Sequence, residues 1–263
     1  MLKRILSTAA LSLLMACATV PITGRQQLNL VSNNEMLSLS FQQYQEVLSK
    51  SRLSTDANAT RMVKSVGQRI QRGVEQYMAQ NNLTQELAGF QWEFNLIEGK
   101  EVNAWCMPGG KVAVYTGILP VTQDENGLAV VMGHEIAHAI AKHGNERMSQ
   151  ALVAQGLGSS LQAALGQNPT ATKSIFLTAF GVGSQLKMLQ YGRRQESEAD
   201  RLGLIFMALA GYDPRASVGF WQRMSAQSQG APPEFLSSHP SDATRIADIQ
   251  ASMNEALKYY KAR

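Results

Sequence analysis

The sequence predicts an α+β fold that is mostly helical and contains one small antiparallel sheet. Apolar residues recur at three- and four-residue spacings before residue 80 and again from residue 127 almost to the last residue, which is typical of amphipathic helices. Between these regions, residues 90–119 alternate apolar and polar side chains around a Gly-Gly pair, which indicates short strands. With 263 residues and 44% hydrophobic content, the chain can bury a core of its own.

The first 16 residues resemble a bacterial lipoprotein signal peptide. Met1 to Arg4 is a short basic head, and the apolar run from Ile5 to Ala16 is too short to span a bilayer. In such signals, cleavage leaves the next cysteine as a lipid-bearing first residue, so Cys17 is the predicted lipidation site. The resemblance to sorted lipoproteins further implies that Ala18, which is not an aspartate, favours the outer membrane over the inner membrane. An ordinary signal peptide and a chance apolar start are the alternatives.

Charge and cysteine content narrow the function classes. The chain has 24 Lys and Arg against 20 Asp and Glu, and removal of residues 1–16 takes away Lys3 and Arg4, so the mature chain has a net charge of +2. Nothing in this balance favours a nucleic-acid partner.

Once Cys17 carries lipid, Cys106 is alone, so we expect no disulfide and interpret Cys106 as a small buried residue.

Residues 33–263 are predicted to form one domain after an extended lead-in at residues 17–32. Helices over residues 34–48 and 56–78 come first and flank the core. In the sheet that follows, Gly109 and Gly110 fit a tight hairpin, because both can adopt positive φ. Further helices are predicted near residues 127–142, 146–165, 172–190, 194–210, 214–228 and 242–260. The irregular loop SQGAPPEFLSSHP precedes the last of them.

The segment VVMGHEIAHAIAKHG places His134 and His138 four residues apart, with Glu135 directly after the first. On a helix this spacing puts both imidazoles on one face, about 6 Å apart along the axis, so both can reach one ion. Glu135 can then contact a water on that ion without binding the ion. Burying these groups on an apolar helix is costly unless a metal ion satisfies them. This is the H-E-x-x-H arrangement of zinc hydrolases.

A catalytic zinc usually has three protein ligands and a water, so a third donor is needed. His143 lies nine residues after His134, about half a turn round the helix, and is predicted to point away as a helix-end residue. The metzincin pattern would need a glycine and a histidine where the chain has Ala141 and Gly144. His143 is therefore not expected to bind the metal.

A better donor lies in the segment RRQESEADRLG. Glu196 and Asp200 are four residues apart and share one helix face. Glu196 is the predicted third zinc ligand, and Asp200 is predicted to accept the N–H of a ligand histidine. Glu198 is interpreted as part of a solvated face.

Four motifs in a fixed order carry a family resemblance. They are VNAWCMPGGKVAVYTGIL, then GHEIAHAIAKH, then ESEAD beginning 58 residues after His138, and then SSHPSDATRI. Together they resemble the HtpX-like and CAAX-prenyl-protease-type zinc metallopeptidases, most closely the periplasmic lipoprotein branch that degrades misassembled or unfolded outer-membrane proteins. The likeness runs from Pro21 to the last helix. It implies a zincin-like metallopeptidase domain of the gluzincin type, with one Zn²⁺ per chain.

The resemblance implies roles for five residues of the predicted site. His134, His138 and Glu196 would be the zinc ligands, and Asp200 would hold a ligand histidine. Glu135 would be the general base.

The resemblance also implies where a peptide binds. The strand Lys111 to Tyr115 would be a sheet edge to which the substrate adds as a further strand, through the backbone of Val112 and Val114. Asn103 would lie near the bound substrate.

The C-terminal motif leaves the roles of two residues, His239 and Arg245, open. The resemblance implies that His239 can approach the metal as a regulatory fourth ligand or contact the transition-state oxyanion, in a catalytic role. The alternative is a loop histidine that caps the final helix. Arg245 either faces the site or pairs with an acid.

The resulting hypothesis is a zinc endopeptidase of the periplasm that degrades misfolded or misassembled polypeptides, above all outer-membrane proteins, as protein quality control. Its partners would be these substrates, the inner leaflet of the outer membrane through acylated Cys17, and the outer-membrane assembly machinery. One alternative is a chaperone-like binding factor with a self-blocked protease site, although such a binder would not need Glu135. Another is a structural zinc site, which usually has four protein ligands, often cysteines.

Overall fold

The protein is described by a computed structural model over residues 17–154, 166–182, 192–226, 235–236, 239 and 244–262. The helices are α1 (Asn33–Lys50), α2 (Ala57–Gln80), α3 (Leu119–Thr122), α4 (Glu125–Ile140), α5 (His143–Ala154), α6 (Pro169–Ala179), α7 (Arg193–Leu209), α8 (Ala216–Ala226) and α9 (Arg245–Ala256). The strands are β1 (Cys17–Thr19), β2 (Gln26–Leu28), β3 (Glu93–Ile97), β4 (Ala104–Met107) and β5 (Lys111–Tyr115). The predicted α+β class is confirmed.

Most predicted helices begin and end within a few residues of the observed ones. The helix predicted over residues 172–190 is shorter, since α6 ends at Ala179. The helix predicted over residues 146–165 begins earlier, at His143, and residues 155–165 lie outside the described part of the chain. The predicted signal peptide and most of the SQGAPPEFLSSHP loop also lie outside it.

Side-chain caps fix where the first helices begin. Ser32 and Glu35 form a capping box at the start of α1, in which each side chain bonds the other residue's backbone N–H. Asp56 caps α2. Asp124 caps α4 through a 2.8 Å hydrogen bond from Gly127 N, which sets the start of the helix that carries His134 and His138.

The three-stranded sheet has the order β3-β5-β4. β5 is antiparallel to β4 across the Gly109-Gly110 turn, whose φ values are +80° and +78°, and parallel to β3. The predicted antiparallel sheet is therefore mixed, because the turn returns the chain to the middle of the sheet. The prediction that Lys111–Tyr115 is a substrate-binding edge strand is wrong, because β5 is paired on both sides. Val112 and Val114 are fully buried in the core.

Among the described strands, β3 and β4 are the edges of this sheet. The outer side of β3 is partly covered by a bridge between Leu53 and Ile97. β4 packs against α4, the helix of the histidine motif. β4 is therefore the edge strand that lies beside the predicted site.

The lead-in contains a short hairpin rather than a simple extended segment. β1 pairs antiparallel with β2, with Cys17 opposite Leu28. Gly24 lies in the connecting turn with φ of +73°, a conformation that favours glycine. The hairpin packs against α5 through β2.

The core lies on both faces of the sheet. One cluster joins α2, α4, α7, α8 and one face of β4 and β5, and a second joins α1, α5, α6 and the opposite face. α4 is buried along nearly its whole length, from Gly127 to Ile140, so its polar groups lie inside the protein. None of the helices in the described residues is long and apolar enough to cross a membrane.

Candidate metal centre

Helices α4 and α7 cross in backbone contact. A Cβ atom on Gly203 would lie 2.9 Å from His134 N, and one on Gly133 would lie 3.0 Å from Gly203 O. Both distances are too short for a side chain, so glycine at both positions allows the close approach. The crossing brings Glu196 and Asp200, which precede Gly203 on α7, against the histidines of α4.

Four side chains converge beside this crossing. His134, His138, Glu196 and His239 each offer one donor atom, and these atoms all lie within 4.8 Å of one another. His138 Nε2 lies 3.0 Å from His134 Nε2 and 3.3 Å from Glu196 Oε1. His239 Nδ1 lies 3.2 Å from His134 Nε2 and 3.1 Å from Glu196 Oε1. The three predicted ligands therefore come together, and His239 joins them.

This donor set fits a zinc ion. Zinc is bound in proteins by imidazole nitrogen and carboxylate oxygen, through three or four such ligands. Each of the four residues is no more than 4% exposed, so their converging acceptor atoms have no access to bulk water. Buried acceptors of this kind are costly without a cation or a proton between them. His134, His138 and Glu196 would hold the ion, and His239 is placed as a fourth donor.

Asp200 holds His134 directly, as predicted. His134 Nδ1 and Asp200 Oδ1 are 2.8 Å apart, which directs His134 Nε2 towards the other donors. Burial alone would lower the pKa of His134, but Asp200 and Glu196 outweigh it and raise the pKa to about 9.

Arg245 both faces the site and pairs with acids. Its Nη1 lies 2.9 Å from Glu196 Oε2, and its Nη2 donates to Asp200 Oδ1 at 2.8 Å. The guanidinium lies over the ring of Trp221, 3.4 Å from the centroid. Burial would raise the pKa of Glu196, but the charges of His239 and Arg245 and further hydrogen bonds hold it well below its usual range.

His138 is held by a second histidine. His138 Nδ1 and His143 Nδ1 are 2.8 Å apart, and His143 Nε2 lies 2.8 Å from Glu198 Oε2. His143 is not among the four clustered residues, as predicted, but its ring does not point away. The chain leaves the helix at Lys142, with φ of +61°, so helical periodicity no longer applies at His143.

Glu198 is buried rather than solvated. It is 8% exposed and accepts hydrogen bonds from Thr23 and from Arg25 Nε, the latter at 2.6 Å. Arg25 also binds Glu146 of α5 through Nη2 at 2.9 Å. Burial would raise the pKa of Glu198, but the hydrogen bonds from His143, Thr23 and Arg25 outweigh it and lower the pKa to about 2. The interpretation as a solvated face was wrong because the lead-in covers this side of α7.

His239 lies inside the site and does not cap the final helix, which begins after Thr244. Its Nε2 lies 3.3 Å from Glu135 Oε1, so the ring contacts both the ligand cluster and the predicted base. The ring stacks on Phe235, with centroids 4.6 Å apart. Phe235 N donates to Val102 O, which ties this segment to the residues that precede β4. Burial lowers the pKa of His239 to about 4.

Glu135 is 3% exposed and lies next to His134 on the site side of α4. His239 Nε2 lies 3.3 Å from its Oε1, but within the described residues no contact to this oxygen has hydrogen-bond geometry. Burial raises its pKa to about 8, although the charge of His134 acts in the opposite direction. A buried carboxylate with an unsatisfied oxygen beside these four side chains is placed to take a proton from a water.

The comparison with protein families agrees with this geometry. Residues 64–253 match the profile of Peptidase family M48. The chain belongs to this family. Membership confirms the resemblance drawn from the motifs and the zinc cofactor.

Three M48 relatives show how far the similarity extends. The mitochondrial metalloendopeptidase OMA1 of Schizosaccharomyces pombe is 32% identical over 241 residues, which is 90% of this chain and 66% of that protein. The human mitochondrial metalloendopeptidase OMA1 is 30% identical over 249 residues, which is 90% of this chain and 46% of that protein. The beta-barrel assembly-enhancing protease of Escherichia coli is 30% identical over 171 residues, covering 62% and 35%. The chain thus spans between about a third and two thirds of these relatives.

Three further residues had predicted roles, namely Asn103, Cys106 and Cys17. Asn103 is 1% exposed, and its Oδ1 accepts from Ala104 N while its Nδ2 donates to Gly181 O at 3.3 Å. It therefore fixes the start of β4 beside the site. Cys106 is a free, buried cysteine, as interpreted. Cys17 begins β1, and its lipidation stays a prediction.

Sequence reasoning missed the residues that hold His138. His143, Glu198 and Arg25 are spread over three separate segments, so no single window of sequence joins them. The available signal was the composition of the two motifs, since GHEIAHAIAKHG and ESEAD each contain one metal-binding or acidic residue beyond the three ligands and beyond Glu135 and Asp200.

Proposed function

We propose that the protein is a zinc-dependent endopeptidase that cleaves unfolded or misassembled polypeptides. The observation that supports this most strongly is the buried convergence of His134, His138 and Glu196 with Glu135 beside them on the same helix. A structural zinc site would not need a carboxylate next to the ligands. M48 relatives named as metalloendopeptidases support the same reaction.

Each polar group of the site has a task in peptide hydrolysis. When bound, zinc lowers the pKa of a water to about 7 and polarises the scissile carbonyl. Glu135 accepts the proton of the attacking water and delivers it to the leaving amine. His239 lies close enough to Glu135 to donate a hydrogen bond to a developing oxyanion. Arg245 and Asp200 keep Glu196 and His134 in place.

The substrate would add to β4 rather than to β5. β4 is the sheet edge beside α4, and a peptide added there would form main-chain hydrogen bonds next to the metal. Such binding depends on backbone more than on side chains, which suits unfolded polypeptides of many sequences. Asn103 orients the start of this strand.

The resting site is closed. The four clustered residues and the whole of β4 are buried, and Asn103 binds Gly181 just after α6. A peptide can therefore enter only when the contacts over β4 open. This closure and the position of His239 favour a second candidate function, a binding factor for outer-membrane proteins whose protease site is blocked.

We further propose that the protein acts in the periplasm, anchored to the inner leaflet of the outer membrane through acylated Cys17. The basic head and continuous apolar run of residues 1–16 support a lipoprotein signal. A mitochondrial transit peptide, as the OMA1 names would suggest, is amphipathic and rich in arginine. The name of the Escherichia coli relative supports outer-membrane proteins as substrates and their assembly machinery as a partner.

The first experiment is cleavage of casein by the purified full-length protein, with bound zinc quantified. We expect the wild type to cleave casein and Glu135→Gln to bind the same amount of zinc without cleaving, since the amide cannot accept the proton. Glu255→Gln is the matched control, because it makes the same exchange on α9 in an exposed ion pair with Arg201. Zinc in the wild type without cleavage would contradict the endopeptidase and favour the binding factor.

The role of His239 is tested by His239→Ala in the same assay. If His239 blocks the resting site, casein cleavage rises, and if it stabilises the oxyanion, cleavage falls. Unchanged cleavage would contradict both roles.

The anchor is tested by Cys17→Ala. We expect this variant to accumulate as a precursor that is not lipid-processed and to leave the membrane fraction. Unchanged membrane fractionation and processing would contradict the lipoprotein proposal.

A further inference from the structure

The ring of His143 lies between a zinc ligand and a carboxylate. Its Nδ1 is 2.8 Å from Nδ1 of His138, and its Nε2 is 2.8 Å from Oε2 of Glu198. His143 is 0% exposed and His138 is 2% exposed, so bulk water does not compete for these contacts. Glu198, His143 and His138 thus form a continuous series of hydrogen bonds that ends at the four clustered side chains of the candidate metal centre.

The positions of the hydrogens in this chain follow from the partners. Glu198 is a carboxylate and can only accept, so His143 Nε2 carries a hydrogen. Two Nδ1 atoms 2.8 Å apart share a single hydrogen, which lies on either His138 or His143. If it lay on His143, that ring would be an imidazolium, and the single N–H of a neutral His138 ring would be on Nε2, inside the cluster. Zinc binding through His138 Nε2 therefore requires His138 Nδ1 to donate and His143 Nδ1 to accept.

The fold brings the three residues together from separate segments. The left-handed Lys142 ends the course of α4 and starts α5 at a new angle, so the His143 ring returns to His138. Glu198 lies two residues from both Glu196 and Asp200 on α7, so it faces away from the metal and towards the lead-in.

The lead-in completes the arrangement. Arg25 Nε donates to Glu198 Oε2 at 2.6 Å, and the Thr23 hydroxyl donates to Glu198 Oε1. Arg25 also binds Glu146 of α5, which accepts a further hydrogen bond from Gln195 of α7 at 2.6 Å. The lead-in thus holds α5 and α7 together behind the ligand histidine.

We propose that His143 and Glu198 are positioning residues that fix the orientation and tautomer of the zinc ligand His138, and that Thr23 and Arg25 of the lead-in hold Glu198 in place. This inference rests on the proposed function in that zinc occupies the cluster. It gives the lead-in a part in metal binding in addition to any part in anchoring.

Zinc affinity of the full-length protein tests the proposal, measured by competition with a fluorescent zinc chelator. His143→Leu removes the acceptor for His138 and should weaken zinc binding by about 10- to 100-fold, the usual effect of losing such a partner. His143→Asn should restore most of the affinity, because its Oδ1 takes the position of His143 Nδ1 and can accept from His138 Nδ1. The thermal unfolding of each zinc-free variant is recorded as well, since a purely structural role would change stability alone.

Ser149→Ala is the matched control. Ser149 is buried on the same helix and accepts a hydrogen bond from Leu30 N of the lead-in, but it does not contact His143 or Glu198. Its loss should leave zinc affinity unchanged. If His143→Leu also left zinc affinity unchanged, or if His143→Asn lost as much affinity as His143→Leu, the proposal would be wrong.

A measurement on the wild type covers the case in which His143→Leu does not fold. In the zinc-loaded protein with ¹⁵N-labelled histidine, NMR should show His143 with its hydrogen on Nε2 and none on Nδ1. The opposite tautomer would overturn the proposal.

The experiments distinguish a failure of this proposal from a failure of the endopeptidase proposal. A wild type that binds zinc and shows the expected tautomer but does not cleave casein would refute the endopeptidase alone. A wild type that cleaves casein, with zinc affinity insensitive to His143→Leu, would refute the positioning role alone.

Discussion

His134 and His138 lie one turn apart on the same helix, yet they are held from different sides of the molecule. His134 donates directly to Asp200, a carboxylate inside the core that also binds Arg245. On its Nδ1 side, His138 contacts the His143 ring, and the carboxylate on that side, Glu198, is reached only through that ring. One ligand therefore depends on the packing of core helices, and the other depends on the N-terminal lead-in.

This difference shows that one metal site can depend on segments with very different stability. The contacts of Asp200 lie between α4, α7 and α9, which form the largest core cluster. The contacts of Glu198 reach Thr23 and Arg25 in a short two-stranded hairpin. Short terminal hairpins open more easily than core helices. The His138 side should therefore be the more easily perturbed half of the site.

The largest effect is expected for Asp200→Ala. The change removes the direct acceptor of His134 and one carboxylate partner of Arg245, so zinc affinity should fall by about 100-fold, the upper end for such partners. Glu198→Ala should cost less, about 10-fold, because the His143 ring still contacts His138. Chelator competition measures both, and equal losses would mean that the two sides are equivalent.

A smaller effect is expected where α4 and α7 cross. Gly203→Ala would place a methyl group 2.9 Å from His134 N and force the helices apart. We expect a loss of about 1–3 kcal/mol in the free energy of unfolding, typical of overpacking, measured by urea denaturation. Gly192→Ala, at the start of the same helix with open space around it, should cost much less. Similar losses for the two variants would argue against the close crossing.

The lead-in side is tested by Arg25→Met. The change removes the ion pairs with Glu198 and Glu146 but leaves the hydrogen bonds from Thr23 and His143 to Glu198. We expect zinc affinity to fall by less than about 10-fold, below the loss for Glu198→Ala. Amide hydrogen exchange in β1 and β2 should become faster. A change in exchange without any change in zinc affinity would separate the lead-in from the metal centre.

The smallest effect on stability and zinc affinity is expected for Glu255→Gln. Glu255 is distant from both ligand histidines in the sequence, and its ion pair is with Arg201. Glu255 pairs with Arg201 at 2.7 Å, and the hydrogen bond from Arg201 lowers its pKa. Because the folded-state pKa lies below that of the unfolded chain, this pair stabilises the fold above about pH 4.5 and loses its effect as pH falls through the folded-state value.

At pH 7 we therefore expect Glu255→Gln to cost no more than about 1 kcal/mol, as for exposed ion pairs. The difference from wild type should vanish in acid, and zinc affinity should not change. Urea denaturation at pH 7 and pH 3 checks the stability difference, and a constant difference would contradict the assigned pKa.

Local patterns predicted the helices and the ligands well. The spacing of His134, Glu135 and His138 and that of Glu196 and Asp200 are properties of single helices, which sequence periodicity describes directly. The convergence of His134, His138 and Glu196 and the contact of Asp200 with His134 followed from these spacings, and the ligand roles stay predictions.

The errors concern contacts between segments distant in the sequence. Strand order depends on which strands pair in space, and the sequence around Lys111–Tyr115 contains no signal that β3 will pair on its other side. The charge of the acidic cluster favoured a solvated face for Glu198, but it could not show that the lead-in covers that face. One left-handed residue, Lys142, was enough to reverse the predicted direction of His143.

The strand β1 begins at Cys17 itself, with Cys17 paired to Leu28. If Cys17 carries the lipid, no flexible linker separates the membrane from the folded domain, whereas each linker residue would add up to about 3.5 Å of reach. Under the proposed function, the domain would then work at a fixed height above the leaflet, and cleavage would be restricted to polypeptides that pass close to the membrane surface. Proteins deeper in the periplasm would be spared by distance alone.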